Sequence, residues 1–380
     1  MSVAPEEPGA PVRVAVVGLG WAGRTIWLPR LAGHPAYRVT AVVEPDPAAK
    51  DSAPEDAEFL GDADLLEPRA VDLAVVAVPN HLHAPVAERL LARGVPVFLE
   101  KPVCLSVEEA DRLADAERAG GAVLLAGSAA AHREDVRTLA EAAAALGPLR
   151  HVELSWVRAG GVPDGGGWFT DRRRAGGGAL VDLGWHLLDA ATTVLGGDTV
   201  FRDVLGSVSA DFVNDRARTA GWRGGERPAG RGDVEDTVRG FLVTDAGVSV
   251  ALRASWASHE AVDTTRITVE GAAGSATLTC TFGFSPNRRP ARLTRTRDGV
   301  TTDVPLRGEP VGAEYARQLD LLPAQLLDPS ARGAAAARAR HTVSVVERLY
   351  ASARAPRRDA TEADATEADA TEADGAASAA

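Results

Sequence analysis

Two lysines, Lys50 and Lys101, stand against 39 arginines in this 380-residue chain. Where arginine supplies nearly all the positive charge, a remaining lysine is a candidate for chemistry that arginine cannot do. An ammonium is compact and can give up its proton when buried, whereas a guanidinium stays protonated. Lys50 falls in a polar stretch, but Lys101 falls in Glu100-Lys101-Pro102, directly after an apolar run. Asp182 and His186 lie four apart in a segment of helical periodicity, so both face one side. That spacing suits a carboxylate orienting an imidazole for proton transfer, with Asp189, one turn beyond His186, as the rival partner.

A third group of residues points to a dinucleotide. Gly18-x-Gly20-x-x-Gly23 follows an apolar run and opens a helical stretch, the context in which such glycines let a backbone approach a pyrophosphate at a helix N-terminus. Glu44 lies 21 residues after Gly23, at the end of the next apolar run. A carboxylate there hydrogen-bonds ribose hydroxyls and repels a 2′-phosphate, so NAD is expected, with NADP as the alternative. Asn80 and His83 follow the neighbouring run, and Trp168 sits between glycine clusters, where it could cover a nicotinamide or a sugar ring. His81-x-His83 has no cysteine or acid to complete a ligand set, so no metal is expected. Cys104 and Cys280 read as small buried residues.

These side chains need a frame. Apolar runs at Val12–Val17, Val39–Val43, Phe59-Leu60, Val71–Val78, Val95–Leu99 and Ala122–Ala126 read as buried parallel strands. Helical stretches alternate with them: one running to Ala32, one over Ala84–Ala92, and one opening at the Ser106/Glu109 capping box. The alternation predicts an α/β domain with a doubly wound parallel sheet over 12–128. Residues 129–355 read as a second, substrate and oligomerisation domain. It carries a helix at Glu134–Leu146, strands at Val152–Arg158, Val200–Val213, Thr237–Thr244, Gly247–Ser258, Arg266–Val269 and Ser275–Cys280, and a helix at Ala179–Leu195. Strands that follow one another without helices predict a large, mostly antiparallel open sheet. Helices at Ala313–Leu327 and Ala334–Ala353 close it. Asn214–Gly232 reads as a long loop and Arg172–Arg174 as a solvent-facing basic run. Residues 1–11 and the acidic repeat at 356–380 are expected to be disordered.

Composition sets the outer bounds. With 45% hydrophobic and 25% charged residues, two cysteines and a net charge of −12, the chain reads as globular, without a disulfide framework. Seven acids fall in the last 22 residues, so the remainder carries about −5. That balance argues against a nucleic-acid partner. No apolar run reaches membrane-spanning length and the N-terminus is not a signal peptide, so a cytoplasmic protein is expected.

Taken together, the motifs resemble the glucose–fructose oxidoreductase / inositol dehydrogenase (Gfo/Idh/MocA) family. The resemblance rests on Gly18-Leu19-Gly20-Trp21-Ala22-Gly23, Glu44-Pro45-Asp46, Val78-Pro79-Asn80 with His83, Glu100-Lys101-Pro102, and Gly176-Gly177-Gly178-Ala179-Leu180-x-Asp182-x-Gly184-x-His186-x-x-Asp189. Val234-Glu235-Asp236 and Glu270-Gly271-Ala272-Ala273-Gly274 match weaker positions. It implies a Rossmann domain, a homodimer or homotetramer built on the open sheet, and NAD(P)-dependent redox of a sugar, amino sugar or cyclitol. It also implies cofactor contacts from Gly18, Gly20, Trp21, Ala22, Gly23, Glu44, Val78, Pro79, Asn80, His83, Glu100 and Lys101. Substrate contacts would come from Lys101, Trp168, Asp182 and His186, with Lys101, Asp182 and His186 catalytic. In that scheme a secondary alcohol gives its hydride to the nicotinamide, and His186 takes the hydroxyl proton. Asp182 orients the ring and favours its imidazolium, while Lys101 hydrogen-bonds the developing alkoxide. The stretch Ser128–Arg133 departs from the family's usual Arg/Asn-aromatic-Pro sequence, which bears on the substrate. A dinucleotide-binding regulator and a redox-elimination glycosidase are the alternative functions.

Overall fold

The computed structural model describes residues 10–163, 167–220 and 231–355. The expected disorder of most of 1–11 and of 356–380, the glycines at 165 and 166, Trp222 and the middle of the Asn214–Gly232 segment lie outside the described residues. Within them the chain forms fourteen strands in two sheets.

The first sheet holds β1 (Val12–Val17), β2 (Tyr37–Val43), β3 (Glu58–Leu60), β4 (Leu73–Val76), β5 (Val97–Leu99) and β6 (Leu124–Ala126). All pairings are parallel and the order is β3-β2-β1-β4-β5-β6. Every residue of β4 is buried, as a central parallel strand requires when both faces are covered. A π-helical turn at Gly23–Trp27 runs into α1 (Leu28–Ala32) on one face; α2 (His83–Ala92) and α3 (Val107–Gly120) cover the other. The predicted cap of α3 is present: Ser106 Oγ accepts from the Glu109 amide at 3.2 Å, and Glu109 reaches back to the Leu105 amide at 2.7 Å. Strand order reverses between β1 and β4, and that switch point opens the crevice where ligands of such sheets collect.

After α4 (Glu134–Ala144) come β7 (Leu149–Val157), the short α5 (Arg172–Ala175) and α6 (Trp185–Leu195). The second sheet continues with β8 (Phe201–Ser209), β9 (Thr237–Thr244), β10 (Ser249–Ser255), β11 (Thr264–Gly271), β12 (Gly274–Cys280), β13 (Arg292–Arg297) and β14 (Val300–Val304). Its order is β14-β13-β12-β11-β7-β10-β9-β8, antiparallel except where β10 runs beside β7. The predicted Asp245-Ala246-Gly247 turn joins β9 to β10, with Gly247 at φ +81°. β13 and β14 escaped the sequence reading because they are rich in Arg and Thr and bury little besides Leu293. The cue for them is the Asp298-Gly299 turn, both residues at positive φ. The helix expected from Ala179 begins as a π-helical turn, Leu180–Gly184, before α6. Arg172–Arg174, read as a loop, form α5, and the Arg172 side chain donates to the Asp233 carbonyl.

The last two helices do not respect a boundary at 128/129. In α7 (Ala313–Leu327), Tyr315, Leu319 and Leu322 pack with Trp27 and Phe98 on the first sheet. Helix α8 (Ala334–Arg354) serves both cores: Ala335, Ala336, Ala339 and Val343 join the first, and Val345, Val346, Leu349 and Tyr350 the second. One continuous helix thus ties the two sheets together. It lies close on β8 and β9 because Gly206 and Gly240 face each other there; a Cβ on either would meet Leu349 atoms at 2.8 Å. Gly206→Val should therefore destabilise the fold by about 1–3 kcal/mol, read as a lower midpoint of urea unfolding.

Candidate active site

A cavity of about 950 Å³ starts at the C-terminal ends of β1, β2 and β4 and continues between the two sheets. At one end is the glycine loop. Gly18 sits at φ +95°, and a Cβ on Gly23 would come within 2.1 Å of the Gly18 carbonyl, so the turn requires both glycines. A Cβ on Gly20 would meet no atom within 4 Å; Gly20 borders the cavity itself. Such a cradle, bare of side chains at a strand-to-helix turn, fits a pyrophosphate. Trp21, Ala22, Val78, Pro79 and Asn80 line the same space. Glu44 closes β2, and its carboxylate accepts from the Leu19 amide at 2.8 Å and the Asp46 amide at 3.2 Å. The acid is thereby fixed at the rim where ribose hydroxyls would lie.

Further in, Lys101 is held from two directions. Its amide donates to Glu100 Oε2 at 2.9 Å, and the Trp27 indole donates to Glu100 Oε1 at 2.9 Å. Glu100 is buried, and burial pushes its carboxyl above the usual range. Its side chain is thus turned into the fold to set the Lys101 main chain. The Lys101 ammonium lies 2.8 Å from Asp182 Oδ1. Asp182 Oδ2 accepts from the buried Trp256 indole at 2.9 Å, and the Arg158 guanidinium is 3.9 Å away.

This arrangement corrects the expected Asp182–His186 dyad. The carboxylate is directed to Lys101 and Trp256, while the His186 ring rests against Trp156 with centroids 5.7 Å apart. Burial, then the Lys101 charge, pushes His186 down to about 3; the attraction of Asp182 is outweighed. The ring is therefore held neutral, the form expected of a proton acceptor, but without the Asp182 hydrogen bond expected to orient it. Asp189, the rival partner, instead accepts from Ser128 Oγ at 3.1 Å, and burial pushes its carboxyl up to about 7.

Two expected cofactor contacts have structural partners. Both His83 ring nitrogens face carbonyl oxygens, of Pro102 at 2.6 Å and of Val78 at 2.8 Å; burial pushes the ring down to about 4, so the neutral imidazole donates to one of the two. Asn80 Nδ2 donates to the Ala175 carbonyl at 2.9 Å, linking the first sheet to α5. Trp168 and Phe169, ring centroids 4.6 Å apart, also border the cavity, as do Trp156 and Arg158. Trp27, Trp156, Arg158 and Trp256 were not singled out from sequence as site residues. An arginine closing the apolar strand at Arg158 was the available signal; for the tryptophans there was none.

Asp182 is held in place by its segment's N-terminus. The buried Glu235 carboxylate accepts from the Gly178 amide at 3.0 Å, the Leu180 amide at 3.1 Å and the Tyr350 hydroxyl at 2.8 Å. A Cβ on Gly178 would meet the Glu235 carbonyl at 1.8 Å, which explains the small residue there.

A family model described as "Oxidoreductase family, NAD-binding Rossmann fold" matches residues 12–128, and that of the GFO/IDH/MocA C-terminal domain matches residues 136–277. The chain is 56% identical, over 90% of its length and 96% of the relative's, to an Amycolatopsis mediterranei (strain S699) protein named as a UDP-kanosamine synthase oxidoreductase subunit. It is 31% identical to a dTDP-3,4-didehydro-2,6-dideoxy-α-D-glucose 3-reductase of Streptomyces violaceoruber, over 56% of this chain and 69% of that protein. Among solved structures it is similar to GenD2 from gentamicin A biosynthesis in complex with NAD, with TM-score 0.71 and 25% identity over 93% of this chain and 97% of that one.

Two outcomes follow from the geometry. Gly20→Val should leave thermal stability unchanged yet weaken NAD binding at least about tenfold by calorimetry, because the new methyls enter the cavity. His186 should make the fold acid-labile. Its pKa is near 6.5 unfolded and about 3 folded, so between those values the unfolded chain binds the extra proton, and stability present above pH 6.5 is lost as pH falls. Urea unfolding at pH 7 and pH 5 should show a drop about 2 kcal/mol smaller in His186→Asn than in the wild type.

Proposed function

The chain belongs to the Gfo/Idh/MocA family and is an NAD(P)-dependent oxidoreductase of sugars; from that premise we propose that it oxidises the C3 hydroxyl of a nucleoside-diphosphate hexose with NAD. The observation that carries the reading is one cavity bordered by the glycine loop, Glu44, Lys101, Asp182 and His186 together. Glu44 supports NAD over NADP, since a carboxylate fixed at the ribose rim would repel a 2′-phosphate. The relatives named as a UDP-kanosamine synthase oxidoreductase subunit and as a dTDP-3,4-didehydro-2,6-dideoxy-α-D-glucose 3-reductase support a nucleotide-linked hexose, and the second name supports redox at C3. They do not favour the regulator or the glycosidase.

A dinucleotide whose pyrophosphate is held at the glycine loop would supply the hydride acceptor in its nicotinamide. The chain's own residues handle the proton and the charge. Neutral His186 is in the form that accepts the hydroxyl proton. The Lys101 ammonium, oriented by Asp182, donates to the oxygen as it becomes an alkoxide and then a carbonyl. Trp168 and Phe169 form an aromatic wall against which a sugar ring can rest. We read the protein as cytoplasmic and homo-oligomeric through the open face of the second sheet. There Leu205 and Phe241, exposed by 64% and 48%, pair across β8 and β9.

The test is NADH formation from UDP-glucose, with NADP and with free glucose as comparison arms. NADH should appear with UDP-glucose and NAD above the other arms. His186→Asn should lower kcat about 10²-fold or more, and Lys101→Met at least as much. Absence of reduction in every arm would reject the proposed substrate. Turnover intact in His186→Asn but abolished in Lys101→Met would move the proton to Lys101.

A further inference from the structure

The two oxygens of Asp182 are engaged by different domains. Oδ1 takes the Lys101 ammonium at 2.8 Å, and Oδ2 takes the Trp256 indole N–H at 2.9 Å. An aspartate carboxylate turns readily about its last torsion, so one ion pair alone leaves its plane free to swing. A second donor, on the other oxygen, fixes that plane. Trp256 is well placed to be that donor. It is fully buried, directly follows β10, ties its own amide to the Asp236 carbonyl at 2.8 Å and packs 6.3 Å from Phe169. It is not among the residues bordering the cavity, so it reaches the reaction only through neighbours that do border it, Asp182 by a hydrogen bond and Phe169 by ring packing.

We infer that Trp256 is a positioning residue for catalysis: its indole N–H locks Asp182 in the orientation that aims the Lys101 ammonium at the reacting oxygen. This rests on Lys101 being the group that meets that oxygen. The lysine exchange measurement below is read without substrate, so a failure of the proposed function leaves it interpretable.

Because the chain has two lysines, ¹⁵Nζ-lysine labelling of the full protein gives two side-chain ammonium signals, one from Lys50 and one from Lys101. In Trp256→Phe, which keeps the aromatic bulk and removes the donor, the Lys101 ammonium should exchange with water faster while the Lys50 signal stays unmoved. With UDP-glucose as the probe, kcat should fall about tenfold while the Kd for NAD stays within about twofold. A folded Trp256→Phe with wild-type Lys101 exchange overturns the inference, as does one in which NAD binding weakens in parallel with kcat. Should Trp256→Phe fail to fold, Asp182→Asn decides. Replacing the carboxylate acceptor must shift the Trp256 indole N–H resonance upfield; an unmoved resonance overturns the inference.

Discussion

The Lys101–Asp182 ion pair is the contact on which the site depends. Lys101 ends a strand of the first sheet, and Asp182 opens a helix of the second region; the 2.8 Å bond between them joins the two at the cavity wall. Asp182 is almost wholly buried, and a buried charge is tolerated only when paired and hydrogen-bonded. The surroundings meet that demand. Trp256 satisfies the second carboxylate oxygen, and Trp27 and Glu100 fix the lysine's main chain. The first core supplies one indole–acid brace and the second core the other, so the lysine's position is set by both.

The rest of the architecture keeps those two halves in register. His83 sits between the carbonyls of Pro102 and Val78 and donates to one of them, and Asn80 reaches across to α5. Glu235 caps the segment that carries Asp182 and in turn accepts from Tyr350 on α8. Helix α8 contributes apolar side chains to both cores, so the orientation of Asp182 toward Lys101 is coupled to the packing that joins the sheets. The electrostatic result is a division of labour. Burial, then the neighbouring Lys101, pushes His186 below the ordinary imidazole range. In the proposed reaction the group that meets the alkoxide, Lys101, and the group that accepts the proton, His186, are distinct.

Much of this was legible in the sequence. Parallel strands buried on both faces read as unbroken apolar runs, and the glycine loop with Glu44 marks its own context, because backbone geometry at that turn restricts the residue types. The rarity of lysine singled out Lys101. What stayed hidden shares one cause, which is that the partners are distant in sequence. A spacing of four placed Asp182 beside His186 on one helix face, but the carboxylate turned to a lysine 81 residues away and an indole 74 residues away. β13 and β14 lacked the apolar alternation that local reading uses, and the two-way packing of α8 left no local trace.

Local sequence thus determined the elements, the glycine loop and the identities of side chains that border the cavity, because those depend on backbone propensity and near neighbours. Tertiary structure alone decided which acid pairs with which base, and that His186 is neutral. Burial and long-range charge set protonation and orientation, and both arise only when the two sheets close over one cavity.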